Sequence, residues 1–180
     1  MKEVRGEGNR VEDAYVSLAR ASFTAYVREG RKIAVPEGLP REMLKSRSAC
    51  FVSLHAHGEL RGCIGTLEPT RASLAEEIIE NAISACSRDP RFPPVAPEEL
   101  EGIACGVDVL GEPESVAGPE ALDPKRYGVI VSRGWHRGVL LPDLEGVEDV
   151  QTQLAIAKRK AGIAPDAACD LQRFTVVRHC

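Results

Sequence analysis

The sequence predicts an α+β fold built on antiparallel sheet. Short segments of alternating apolar residues come in pairs joined by turn residues, which makes them hairpins. The helical segments stand between these hairpins rather than between successive single strands, the order that excludes a doubly wound α/β sheet. With 180 residues, 43% of them hydrophobic, the chain can bury one core or a core shared by two lobes.

Residues 1–8 are charged and read as a flexible tail. Asn9 and Glu12 have the spacing of a capping box, and Val11, Ala14, Tyr15, Leu18, Ala25 and Tyr26 continue a helical stripe to about Glu29. Gly30 is placed to end it, and Pro36 to Pro40 is loop. Ala49 to Leu54 alternates as a strand, and Glu59 to Gly65 returns after a His57-Gly58 turn. Ser73 and Glu76 form a second capping box, opening a helix with Leu74, Ile78, Ala82 and Cys86 on one face. Asp89-Pro90 ends it, since the residue before proline disfavours helix. Arg91 to Val95 is then extended, Pro97 to Leu100 is one helical turn, and 102–110 is a strand. Residues 111–126 read as loop and contain the lobe boundary. Gly128–Ser132 and Arg137–Leu141 form a hairpin about Arg133-Gly134. Val147 to Ala161 is a helix stopped by Gly162, and Arg173–Arg178 is the last strand.

The formal net charge of −4 argues against a nucleic-acid binder, which shows a basic excess or stripe. No apolar run approaches the roughly 20 residues that cross a bilayer. The charged N-terminus is no secretory signal. Six scattered cysteines without a CxxC pair read as reduced thiols, and the expected location is cytoplasmic.

The residues that carry chemistry gather at Leu60-Arg61-Gly62-Cys63-Ile64-Gly65. Arginine offers a planar fork to carboxylate or phosphate. Glycines let a ligand approach the backbone. Cys63 is either a small packed residue or a nucleophile. Ligand contacts are expected from Arg61, Gly62, Ile64 and Gly65, with Asp89 and Arg91 on a rigid, proline-rich cleft wall. With a two-residue turn at His57-Gly58, facing residue numbers sum to about 115, so Cys63 faces Val52 and Arg61 faces Leu54. His55 then points away from Cys63 unless a bulge intervenes, leaving His136 as the distant candidate base. His55 and His57 would share a face on a continuous strand, but His57 falls in the turn and nothing in the spacing demands a third ligand from His136, Asp89 or Asp108, so no metal is expected. Lys158-Arg159-Lys160 reads as cations complementing a helix dipole.

The hexapeptide resembles that of the AMMECR domain family. The likeness extends to Phe51-Val52-Ser53-Leu54 with Gly58-Glu59-Leu60, to Asp89-Pro90-Arg91-Phe92-Pro93-Pro94-Val95 with Glu99-Leu100, to Tyr127-Gly128-Val129 and Gly138-Val139-Leu140-Leu141-Pro142, and to Lys160-Ala161-Gly162-Ile163. It spans about residues 10–178, so residues 9–180 form one domain of this type. The resemblance implies two unequal lobes, each with antiparallel sheet flanked by helices, and a cleft near the hexapeptide. It also implies association with a Memo-like protein and a radical SAM protein. The function expected is an enzyme or substrate-activating component with an anion-binding cleft around Arg61-Gly62-Cys63. A non-catalytic adaptor for those partners is the alternative. Neither reaction nor cofactor is assigned by the sequence.

Overall fold

The computed structural model describes residues 13–180. The tail and the Asn9–Glu12 capping box lie outside the described residues. Helix α1 (Ala14–Glu29) is capped by Asp13, whose carboxylate accepts from the N–H groups of Tyr15 (2.8 Å) and Val16 (3.4 Å). Gly30 ends it in the left-handed conformation, φ 66°. A single turn, α2 (Arg41–Lys45), was not anticipated; it is held by the buried Met43. Strands β1 (Cys50–Ala56) and β2 (Glu59–Gly65) form the expected hairpin, with His57 and Gly58 both at positive φ in the turn. Helix α3 (Leu74–Ser87) starts where Ser73 Oγ accepts from the Glu76 N–H at 3.3 Å. A 3-10 turn (Pro97–Gly102) leads into β3 (Ile103–Leu110).

The stretch read as loop after residue 110 contains a short strand, β4 (Glu114–Val116). Three residues are too few for an alternating pattern to stand out. Strands β5 (Gly128–Arg133) and β6 (His136–Leu140) turn about Gly134-Trp135, one residue later than read. Helix α4 (Val150–Ala161) is capped by Asp149 and stopped by Gly162 at φ 68°. The single last strand divides into β7 (Asp170–Phe174) and β8 (Val176–His179), which belong to different sheets. The division falls at Thr175, whose carbonyl accepts from the Gly111 N–H at 2.9 Å.

Both sheets are antiparallel, in the orders β2-β1-β3-β8 and β4-β7-β5-β6. Alternation sorts each strand into two faces. In the first sheet Val52, Leu54 and Val107 turn toward α1 and α3, where Phe23, Ile78 and Ala82 are fully buried. In the second sheet Val129, Val131 and Leu140 pack with Ala157 and Ala161 of α4. The opposite faces meet through Leu110, Ile130, Val139 and Phe174, with Phe51 packed against them. The order of layers is therefore helices, sheet, sheet, helix. Each such fully buried aliphatic or phenyl side chain contributes roughly 1.5–3 kcal/mol.

A glycine lets a helix close on its sheet in each half. A β-carbon on Gly62 would lie 2.2 Å from the Ala85 carbonyl oxygen of α3. One on Gly138 would lie 2.1 Å from that of Ala157 in α4. Gly62→Ala and Gly138→Ala are each expected to cost about 1–3 kcal/mol by overpacking, read from urea unfolding midpoints. Gly102→Ala, where a β-carbon meets open space, is the control expected to change little.

Candidate functional site

The hairpin register decides which side chains share a face. Next to the turn it is as expected, with His55 opposite Leu60 and Ala56 opposite Glu59. Between Leu54 and His55 it shifts by one, so that Leu54 faces Gly62 and Ser53 faces Cys63. Arg61 is the extra, bulged residue. The expected pairings of Cys63 with Val52 and of Arg61 with Leu54 are thereby corrected. The bulge delivers Gly62 to the place where α3 closes on β2, and it turns Cys63 to the other face. Cys63 now shares that face with Phe51, Ser53 and His55, so His55 does not point away from it.

Arg61 is engaged elsewhere. Its Nε and Nη2 donate to the two carboxylate oxygens of Glu99 at 2.7 and 2.9 Å. Nη1 donates to the Pro93 carbonyl at 2.9 Å, and Nη2 also to that of Pro94 at 3.4 Å. This bidentate pair holds the Glu99 carboxyl below the usual carboxylate range, with a further contribution from the Ala96 N–H. The fork expected to take a ligand instead fastens the proline-rich segment to β2. Gly62 faces α3, and the space over Gly65 is filled by the Phe51 ring, 2.3 Å from where a β-carbon would be. His136 places Nδ1 2.9 Å from the Ala161 carbonyl oxygen, at the end of α4. These four residues do not line the main cavity; Cys63, Ile64, Asp89 and Arg91 do.

That cavity has a volume of about 820 Å³ and lies between the outer face of the first sheet and the end of β6. Its floor carries Phe51, Ser53 and His55 of β1 and Gly106 and Asp108 of β3. Val139, Leu141 and Leu144 line the opposite side, with Asp143, Glu145 and Lys160 among them. Asp89 is buried at one wall and accepts from the Cys63 N–H (2.9 Å), the Arg91 N–H (3.1 Å), Arg91 Nε (3.0 Å) and Arg91 Nη2 (2.7 Å). The Arg91 bonds hold its carboxyl far below the ordinary range, against the opposing effect of burial. Burial pushes the Cys63 thiol up; Arg91 and Lys160 oppose this, while Asp108 and Asp89 reinforce it. The thiol is therefore neutral at pH 7.

Sequence reading missed Ser53, Asp108, Lys160 and Arg178 as cavity residues. Arg178 is matched to Asp108, at 2.9 and 3.3 Å. Lys160 donates only to the Val139 carbonyl, at 2.8 Å, and is matched to no carboxylate among the described residues. The available signal for Lys160 was its place in the last of the matched blocks, not the helix dipole.

The model of the AMMECR1 family matches residues 16–179. The chain belongs to the AMMECR1 family. A protein of Thermotoga maritima is 52% identical over 170 residues, which cover 93% of this chain and 98% of that one. A protein of Clostridium acetobutylicum is 50% identical over 169 residues, 93% of this chain but 36% of its own length. The crystal structure of an uncharacterized protein from Pyrococcus horikoshii superposes with a TM-score of 0.84 at 34% identity, covering 91% of this chain and 88% of that one. In this AMMECR1 domain no helix among the described residues is long and apolar enough to cross a membrane. None of the described residues form a group of three or more His, Cys, Asp or Glu that could hold a metal ion.

Asp89 and Cys63 each have a pH signature. A carboxyl whose folded pKa is depressed stabilises the fold above its ordinary value of 3.8, and that stability is lost as pH falls below it. Asp89→Asn is expected to lower stability at pH 7 by about 1–3 kcal/mol and to flatten the fall in stability below about pH 4. Urea unfolding between neutral and acid pH measures both. Alkylation of Cys63 by iodoacetamide, followed by mass spectrometry, is expected to be slow at neutral pH. Its rate should still be rising at pH 9. A plateau below pH 9 would show a thiolate that the burial of Cys63 does not allow.

Proposed function

We propose that this chain is an enzyme, or the substrate-activating component of one, that binds a small organic anion in the cavity with Cys63 at the reacting centre. The observation that carries this reading is the Cys63 thiol lining a cavity beside two cations, Arg91 and Lys160. A cavity of this size, mostly apolar with a few convergent polar groups, is the ordinary form of a small-molecule site. Arg91 keeps Nη1 without a partner among the described residues, and Lys160 uses one of its three N–H donors on Val139. These groups supply the anion contact first sought at Arg61. The neutral thiol needs a base to become a nucleophile, and His55 is the imidazole on the same face.

The test is untargeted metabolite profiling of a strain lacking the gene. Wild-type protein is expected to restore the profile. Cys63→Ser and Lys160→Ala, produced at equal levels and equally stable, are expected to restore less than about a tenth of the activity. Full restoration by Cys63→Ser would remove Cys63 from the chemistry.

A second reading is an adaptor that docks a Memo-like or a radical SAM protein. It is supported by the Clostridium relative, in which the matching region is only 36% of a longer chain. Co-purification of either partner with the Cys63→Ser protein, together with full restoration of the profile, would favour the adaptor.

A further inference from the structure

Among the described residues five glycines lie within strands, at positions 62, 65, 106, 128 and 138. Packing explains four of them. A β-carbon would fall 2.2 Å from the Ala85 carbonyl oxygen at Gly62, 2.3 Å from the Phe51 ring at Gly65, 2.2 Å from the Phe174 ring at Gly128 and 2.1 Å from the Ala157 carbonyl oxygen at Gly138. Gly106 is different. Its φ is not positive, and the pairing of β1 with β3 runs through it without a shift, Ser53 opposite Gly106. A β-carbon there would meet Ser53 Oγ at 3.2 Å and the His179 carbonyl oxygen at 3.5 Å. Ser53 Oγ ends a rotatable side chain, so that contact yields readily. Neither the turn of the backbone nor the packing of the fold demands glycine at this position. Glycine in a strand interior weakens the strand, and it commonly marks close approach of another group.

The group that profits is the cavity. Gly106 is in the middle of its floor, next to Ser53, which in turn faces Cys63. Bare backbone lies on one side, and Val139, Leu141 and Leu144 line the other together with Asp143, Glu145 and Lys160. A floor without a side chain at its centre accepts a flat group better than a branched one, because a flat face keeps dispersion contact along the whole of it.

We propose that Gly106 determines specificity: a flat, apolar-faced part of an organic acid lies across it, with the acid group at Arg91 and Lys160. This rests on reading the cavity as a ligand site, but it does not depend on Cys63 performing chemistry. The probe is 8-anilino-1-naphthalenesulfonate, an anion with a flat naphthalene ring, followed by fluorescence titration. The wild-type protein is expected to bind it saturably at one site. Gly106→Val is expected to weaken binding at least about tenfold and Gly106→Ala by less, each with a melting temperature within about 4 °C of wild type. N-phenyl-1-naphthylamine, which lacks the sulfonate, is expected to bind at least about tenfold more weakly than the anion.

The probe titration reads binding alone and the metabolite profile reads Cys63 chemistry, which separates the two claims. Loss of probe binding in Gly106→Val, beside full metabolic restoration by Cys63→Ser, would leave the flat-ligand site standing without the thiol chemistry. Unchanged binding in Gly106→Val, equal binding of the uncharged analogue, or no saturable binding by wild type would overturn the proposal. Unfolding of both Gly106 variants would do so too, since it would make the glycine a packing requirement.

Discussion

A buried carboxylate must find its hydrogen bonds within the protein, and Asp89 finds them in two segments at once. The Cys63 amide belongs to β2, while the Arg91 amide and guanidinium belong to the chain that follows α3. One side chain thus fixes the distance between the strand that carries the thiol and the loop that carries a cation. Arg61 and Glu99 repeat the connection further along, fastening the proline-rich segment to the same strand. Between them these two ion pairs turn an otherwise irregular stretch into a wall of the cavity. The pairs differ in kind. Asp89 is buried and its loss leaves donors unsatisfied, whereas Glu99 is partly exposed and its attraction is weakened by solvent.

The cavity exists because two helix-backed sheets face each other without closing completely. Leu110, Ile130, Val139 and Phe174 fill the contact on one side, and the chain crosses between sheets twice, after β3 and again at Thr175. Where that packing ends, the outer face of the first sheet remains open. The polar groups there come from both halves: Cys63, Asp89 and Arg91 from the first, Lys160 from α4 in the second. A ligand that touches Arg91 and Lys160 therefore spans both layers. Asp89 is paired with Arg91 and Asp108 with Arg178, while Lys160 has no carboxylate partner among the described residues; Asp143 and Glu145 also line the cavity.

Much of the local structure was legible because it depends on local chemistry. Ser73 as a cap, Gly30 and Gly162 as stops and His57-Gly58 as a turn were each read from a few neighbouring residues. The candidate site was legible only in part. Cys63, Ile64, Asp89 and Arg91 reach the cavity, but Arg61, Gly62, Gly65 and His136 serve packing and clamping. The reason is a single inserted residue. The bulge at Arg61 answers to a helix backbone at Ala85, a contact 23 positions away in sequence, and it reverses the face of Cys63. The split of the last strand at Thr175 likewise depends on partners in two different sheets. Lys160 was hidden because a cation at a helix end has a sufficient local explanation.

The central claim is that the open face of the first sheet is where this domain meets a small organic anion. The most direct measurement is an amide chemical-shift titration of isotope-labelled protein with the organic-acid fraction of a cell extract. The account predicts saturable shifts gathered at Cys63, Arg91, Gly106 and Asp108. Shifts gathered instead at the exposed Trp135 hairpin, with the cavity amides unmoved, would contradict it.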